Sequence, residues 1–232
     1  MNKQNILKQI KNKLIVSCQA EKDEPLGKPE ILAAMAETAV IGGAAGIRAC
    51  YPENIKAIKE AVEVPVIGIY KQKYPDSEVF ISPTIKENLA VAETNSEIIA
   101  LDATNRNRPN DEKLENIVAS LRENSDSLLM ADIDTLENGL KAAALGFDLI
   151  GTTLSGYTAA TQEKAIDYRP DFKLIKNLID GLNGNVPVIA EGRIWNPEDA
   201  HKIMKMGVHS IVIGSAITRP HHITQRFVKA IK

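Results

Sequence analysis

Residues 186–220 read VPVIAEGRIWNPEDAHKIMKMGVHSIVIGSAITRP. An apolar run over 186–192 ends in Glu191 and Gly192. An amphipathic stretch opening on Pro197 follows, Gly207 closes it, and a second apolar run begins at Ser210. Both runs are continuous rather than alternating, as in a parallel strand with helices on one face and core on the other. Pro197 suits a first helical position, where the missing amide proton costs nothing. Gly207 suits the turn through positive φ that ends a helix. The unit is a strand, a helix and a second strand parallel to the first.

The same unit recurs along the chain. Apolar runs lie at 14–20, 44–50, 64–70, 97–104, 127–133, 147–153, 186–192 and 210–216, separated by longer amphipathic segments. Pro52, Pro170, Pro197 and Pro220 are placed to open helices, Asp134 and Glu137 to form a capping box, and Gly146 to close a helix. Eight units, with no Gly-rich dinucleotide turn after the first run, favour a closed sheet over a doubly wound open one. The expected fold is α/β: a single-domain (β/α)8 TIM barrel over residues 1–232, with a short N-terminal helix within 1–13. The length of 232 residues suits one such barrel. The longest irregular segments, 21–29, 71–83, 103–111 and 154–171, all follow a strand. They therefore belong to the C-terminal mouth, where barrels of this kind build their sites.

Composition narrows the function classes. With 44% hydrophobic and 25% charged residues the chain has material for a sizeable core. A net charge of -2 supplies no general attraction for nucleic acid or an acidic membrane surface. No run approaches the roughly 20 apolar residues of a membrane span. Residues 1–13 lack the apolar run and cleavage site of a secretory signal, so a cytoplasmic protein is expected. Cys18 and Cys50 each sit in an apolar run without a neighbour at metal or redox spacing, and read as buried thiols.

Polar residues stand where the apolar runs stop: Gln19, Arg48, Lys71, Asp102, Asp132, Glu191 and Arg193. Any one of them can be a structural ion-pair partner. Seven in register on a dry barrel core point to a pocket, because charge there is costly unless paired or useful. After runs seven and eight come AEGRI and VIGSAITRP. Gly192 and Gly214 let backbone N–H groups approach a phosphate, Ser215 adds a hydroxyl, and Arg219 adds a bidentate charged contact. The alternative is two ordinary tight turns. A metal is not expected: His201 falls in a helix, His209 near the bottom of strand eight, and His221 and His222 at the start of the last helix, so no imidazole ends a strand. Magnesium held by mouth carboxylates and a substrate phosphate is the minority reading. Tyr157 and Trp195 either line the mouth or pack.

VSCQA (16–20), GAAGIRA (43–49), PVIGIYK (65–71), ALDAT (100–104), LMADI (129–133), GTTLSGYT (151–158), PVIAEGRI (187–194) and VIGSAITRP (212–220) together resemble the N-acylglucosamine-6-phosphate 2-epimerase family, also called N-acetylmannosamine-6-phosphate 2-epimerase. The resemblance runs from Leu14 through the last helix. It implies a cytosolic enzyme of sialic-acid and amino-sugar catabolism that converts N-acetylmannosamine 6-phosphate to its gluco epimer. It also implies that no metal or cofactor is needed, and commonly a homodimer. By resemblance Lys71 is the catalytic lysine and Glu191 the second acid-base group. Gln19, Arg48 and Asp132 bind substrate, with Asp102 and Arg193 as further candidates. Gly192, Gly214, Ser215 and Arg219 hold the phosphate.

Inverting C2 of an N-acylhexosamine requires removal of a proton that is acidic only when C1 is an aldehyde, so the ring must open first. A lysine base must act in its neutral form, which for an unperturbed lysine near pH 7.5 costs roughly 4 kcal/mol. Dry walls and Arg48 reduce that cost, and contact with Asp102 or Asp132 restores it. Strands three and seven lie half a barrel apart, so Lys71 and Glu191 can face opposite sides of one enolate. The rival is Lys71 serving both faces while Glu191 opens the ring. Beyond epimerisation stand another phosphate-binding isomerase or lyase barrel, and a silent barrel that only binds an amino-sugar phosphate.

Overall fold

Eight short strands close into one parallel barrel: β1 (Leu14–Cys18), β2 (Gly46–Cys50), β3 (Val66–Ile69), β4 (Ile98–Asp102), β5 (Leu128–Asp132), β6 (Leu149–Gly151), β7 (Val188–Glu191) and β8 (Ser210–Ile213). They pair in sequence order, and β8 returns to β1 with Val16 beside Ile213. The computed structural model describes residues 2–21, 23–165 and 168–232. The expected irregular segments 21–29 and 154–171 include positions 22, 166 and 167, which lie outside the described residues.

Each residue of β2, β4 and β5 is buried, which is why the runs are continuous. Alternation reappears as two apolar layers. Leu128 and Met130 of β5 join Ile15, Ile67, Ile98 and Ile189 inside the barrel, while Leu129 and Ala131 join the layer under the helices.

The helices are α1 (Lys3–Ile10), α2 (Pro29–Ile41), α3 (Pro52–Ala61), α4 (Ile85–Ala92), α5 (Leu114–Asn124), α6 (Leu136–Ala144), α7 (Phe172–Leu182), α8 (Pro197–Lys205), α9 (Ser215–Thr218) and α10 (Pro220–Ala230). The expected N-terminal helix is α1. Its Ile6 and Ile10 enter the inner cluster and so close the end of the barrel opposite the mouth. Asn12 N–H bonds the carbonyl of His209 at 2.7 Å. Pro52, Pro197 and Pro220 open α3, α8 and α10, and Pro29 opens α2 in the same way. Gly146 and Gly207 turn through φ of +92° and +96°.

Two expectations at helix starts are corrected. Pro170 does not open α7; Asp171 caps it, accepting from Leu174 N at 2.9 Å. Asp134 and Glu137 form no capping box. The cap of α6 is Thr135, whose hydroxyl lies one residue closer to the free amide of Asn138 and accepts from it at 3.2 Å. Asp134 turns inward to Asn138 Nδ2 and the Thr158 hydroxyl, and Glu137 pairs with Lys141 on the exposed face. A capping box forms instead at α4, between Thr84 and Glu87.

Segment 71–83 folds back onto the sheet. Lys71 forms an antiparallel bridge with Ile81, Ser82 N–H bonds Tyr70 O at 2.7 Å, and Asp102 N–H bonds Ile81 O at 3.1 Å. The segment is wedged between the upper ends of β3 and β4, which pair below it at Ile67 with Ile98 and Gly68 with Ile99. Among the described residues no helix is long and apolar enough to cross a membrane.

Candidate active site

A cavity of about 310 Å³ opens at the C-terminal ends of the strands. Gln19, Arg48, Lys71, Glu191, Gly192, Arg193, Gly214, Ser215 and Arg219 line it, so most residues expected at the mouth meet there. Its floor and walls also include Ile69, Phe80, Ile81, Thr153, Tyr157 and Trp195. Asp102 and Asp132 are not among the lining residues.

Asp132, fully buried at the end of β5, lies behind Arg48. The Arg48 guanidinium crosses from β2 to donate to Asp132 at 2.6 and 3.1 Å and to Glu191 Oε2 at 2.8 Å. The Thr153 hydroxyl bonds Asp132 at 2.6 Å and Glu191 at 3.2 Å. One guanidinium thus faces two carboxylates, and its Nε is buried without a hydrogen-bond partner. Burial disfavours the Arg48 charge, but the Asp132 and Glu191 carboxylates outweigh it and hold the guanidinium above its ordinary pKa. Glu191 carries the imbalance. Burial raises its carboxyl, Asp132 adds to the rise, and Arg48, Thr153 and Lys71 oppose it; the result is a group pushed up to about 7. Such a carboxyl can donate or accept a proton near neutral pH.

Lys71 enters from the opposite arc, just beyond β3, with its side chain 28% exposed. The carboxylate facing it is Glu21, with Oε1 3.9 Å from Nζ, and not Asp102 or Asp132 as the sequence reading considered. Glu21 Oε2 also lies 3.4 Å from the Tyr51 hydroxyl. Asp102 is drawn away from the mouth, bonding Arg106 at 2.5 Å and the Thr104 hydroxyl at 2.7 Å. Burial holds its carboxyl above the ordinary range despite Arg106 and Arg108. Its placement is that of a structural ion pair.

The loops after β7 and β8 form the other side of the cavity. Gly192 turns at φ +106° and Arg193 at +56°, a sharp bend directly after Glu191. The Arg193 side chain donates to the carbonyls of Arg169 and Ser155 and lies over Tyr157, with its guanidinium centre 5.5 Å from the ring centroid. It ties the β6 and β7 loops together. Gly214 precedes α9 with Ser17 close to its Cα, so a side chain there would crowd Ser17. Arg219 donates through Nη1 to Gln19 O at 3.0 Å and through Nη2 to Glu24 at 2.7 Å, leaving Nε buried without a partner. The expected free bidentate fork is therefore already engaged by protein.

Although none of the histidines ends a strand, an imidazole reaches the mouth, because His222 on the first turn of α10 lines the cavity. Tyr157 and Trp195 line it too, and Trp195 stacks with Arg226 at 4.3 Å. Cys18 and Cys50 are free and buried; burial pushes their thiols up to about 12 and about 11. Thr153 was missed although it closes the sixth apolar run, where the strand-end criterion finds it. Glu21, Phe80 and Ile81 belong to loops, whose path the apolar pattern does not describe.

Fold and cavity together define a (β/α)8 barrel with a lysine and a neutral-titrating carboxyl facing one another across its mouth. The chain belongs to the family described as "Putative N-acetylmannosamine-6-phosphate epimerase", whose profile matches residues 32–232. A Pediococcus pentosaceus protein named "Putative N-acetylmannosamine-6-phosphate 2-epimerase" is 49% identical over 231 residues, covering 99% of this chain and all of the relative. A Clostridioides difficile protein of the same name is 49% identical over 227 residues, 98% of this chain and 99% of that one. The solved N-acetylmannosamine-6-phosphate 2-epimerase of Clostridium perfringens superposes with a TM-score of 0.92 at 46% identity, covering 97% of this chain and 96% of its own.

Proposed function

We propose that this chain interconverts N-acetylmannosamine 6-phosphate and N-acetylglucosamine 6-phosphate. The observation that carries this reading is that Lys71 from β3 and Glu191 from β7 reach one cavity from opposite arcs. The substrate phosphate sits at the loops of Gly192, Gly214 and Ser215, with Arg219 beside them on the cavity wall. Arg48 and Gln19 hold sugar oxygens, and Asp132 holds Arg48. Once the ring has opened to the C1 aldehyde, one of Lys71 and Glu191 removes the C2 proton to leave an enolate. The other delivers a proton to the opposite face, and the roles exchange in the reverse direction. Arg48 lies where a cation stabilises the enolate oxygen. The oxidation state of the sugar is unchanged, so the reaction needs no redox partner.

Proton NMR of the protein with N-acetylmannosamine 6-phosphate in deuterated water tests this. Appearance of the gluco epimer with deuterium at C2 supports it. Ligand-induced stabilisation without turnover replaces it with a binding barrel. If Glu191→Gln still epimerises at a near-normal rate, Lys71 serves both faces and the two-base version is wrong.

The same reading includes a single domain working in the cytoplasm, in amino-sugar and sialic-acid catabolism, and a homodimer. Two features support the dimer. No residue of α10 is buried, whereas every other helix of eight residues or more buries at least two, and Phe227 and Ile231 are 70% and 83% exposed. An apolar groove beside α2, lined by Leu14, Val16, Ile31, Met35, Ala39 and Ile217, lies open on the barrel wall. A second copy's α10, with Ile223 and Phe227 four residues apart on one stripe and Ile231 at its C-cap continuing it, is an occupant of matching chemistry.

A further inference from the structure

Segment 71–83 places an apolar wall beside Lys71. Ile81 is bridged antiparallel to Lys71, and Ile69 lies two residues earlier on the inward face of the same strand. Phe80 is next to Ile81, and its carbonyl is held by Gln72 N–H at 2.9 Å. All three residues line the cavity. Apart from Lys71 itself and Glu21, which faces it from beyond β1, the charged and hydrogen-bonding groups come from other arcs: Arg48 from β2, Thr153 from beyond β6 and Glu191 from β7.

This asymmetry orients the substrate, given the epimerase reading on which the inference rests. The phosphate on C6 is anchored at the loops after β7 and β8. The reacting carbon, C2, must lie against Lys71. C2 also bears the acylamino group, so the acyl chain lies on the Lys71 side, where the wall is apolar. We infer that Phe80, backed by Ile69 and Ile81, receives the end of the acyl chain and sets the size and polarity of acyl group accepted. Ile69 and Ile81 are 1% and 4% exposed and packed into the barrel core, so they form a fixed floor. Phe80 is only partly buried, which leaves it as the residue whose size changes the space above that floor.

The experiment compares kcat/KM for the 6-phosphates of N-acetyl-, N-propanoyl- and N-glycolylmannosamine in the unsubstituted protein, Phe80→Ala and Phe80→Leu. One methylene in an apolar pocket discriminates by about 10-fold or more. The unsubstituted protein is expected to prefer acetyl over propanoyl by about that factor, and to disfavour the glycolyl hydroxyl. Phe80→Ala raises the propanoyl-to-acetyl ratio by about 10-fold, with a smaller change in the same direction in Phe80→Leu, which keeps most of the packing should the alanine variant fold poorly. A ratio unchanged within about 2-fold in a variant that still turns over the acetyl substrate overturns the assignment of Phe80. No turnover of any of the three by the unsubstituted protein overturns the epimerase reading itself, and this assignment with it.

Discussion

Arg48 on β2 sets its guanidinium against Asp132 on β5, Nη2 to Oδ2 at 2.6 Å and Nη1 to Oδ1 at 3.1 Å, with both side chains sealed from solvent. Removing one member of a fully buried pair typically costs about 3–5 kcal/mol, because the other charge is left without its partner. Glu191, at 2.8 Å, still faces Arg48 when Asp132 is gone. Asp132→Ala is therefore expected at the low end, about 3 kcal/mol, by urea unfolding. An unchanged midpoint would show that the pair does not support the barrel.

Glu191 should make stability fall as pH rises. Its carboxyl moves from an ordinary 4.5 up to about 7 on folding, so between these values the folded chain binds more protons than the unfolded one. The stabilisation is present below about pH 4.5 and lost through pH 7, on the order of 3 kcal/mol over the window. Glu191→Gln should flatten this part of the stability profile and match or exceed the unsubstituted protein at pH 8. A variant whose profile retains the slope would assign it to another group.

Lys71 should separate activity from stability. Its side chain is 28% exposed, and the Glu21 carboxylate 3.9 Å away is 50% exposed, a pairing worth about 0–1 kcal/mol. Lys71→Ala is expected to lower kcat by about 10²–10⁴-fold with little change in Tm. Activity retained to within a few fold removes Lys71 from proton transfer.

If α10 seats in the groove of a second copy, Phe227→Asp puts a charge into apolar surroundings and should shift sedimentation from dimer to monomer at micromolar concentration. Barrel melting should stay within about 1 kcal/mol, since Phe227 is 70% exposed in its own chain. A variant that sediments like the parent argues against helix exchange, and a monomeric parent against the dimer altogether.

Much of this protein is determined by its sequence alone. A parallel strand with two covered faces must be apolar throughout, so eight strands are visible as eight runs, and β5 is found within one residue of its run at each end. Residues at the ends of those runs must come to one rim when the sheet closes, which is why Gln19, Arg48, Lys71 and Glu191 are legible in the sequence as mouth residues. What lies between strands follows no such period. The turn that folds 71–83 back on β3, and so sets Ile81 opposite Lys71, is decided by hydrogen bonds between distant backbone groups. Partner choice is likewise tertiary. Asp102 and Asp132 sit at neighbouring strand ends in matched register, yet Arg106 draws one away and Arg48 draws the other in. Their separate roles depend on which cation lies within about 3 Å, and only the three-dimensional arrangement sets that distance.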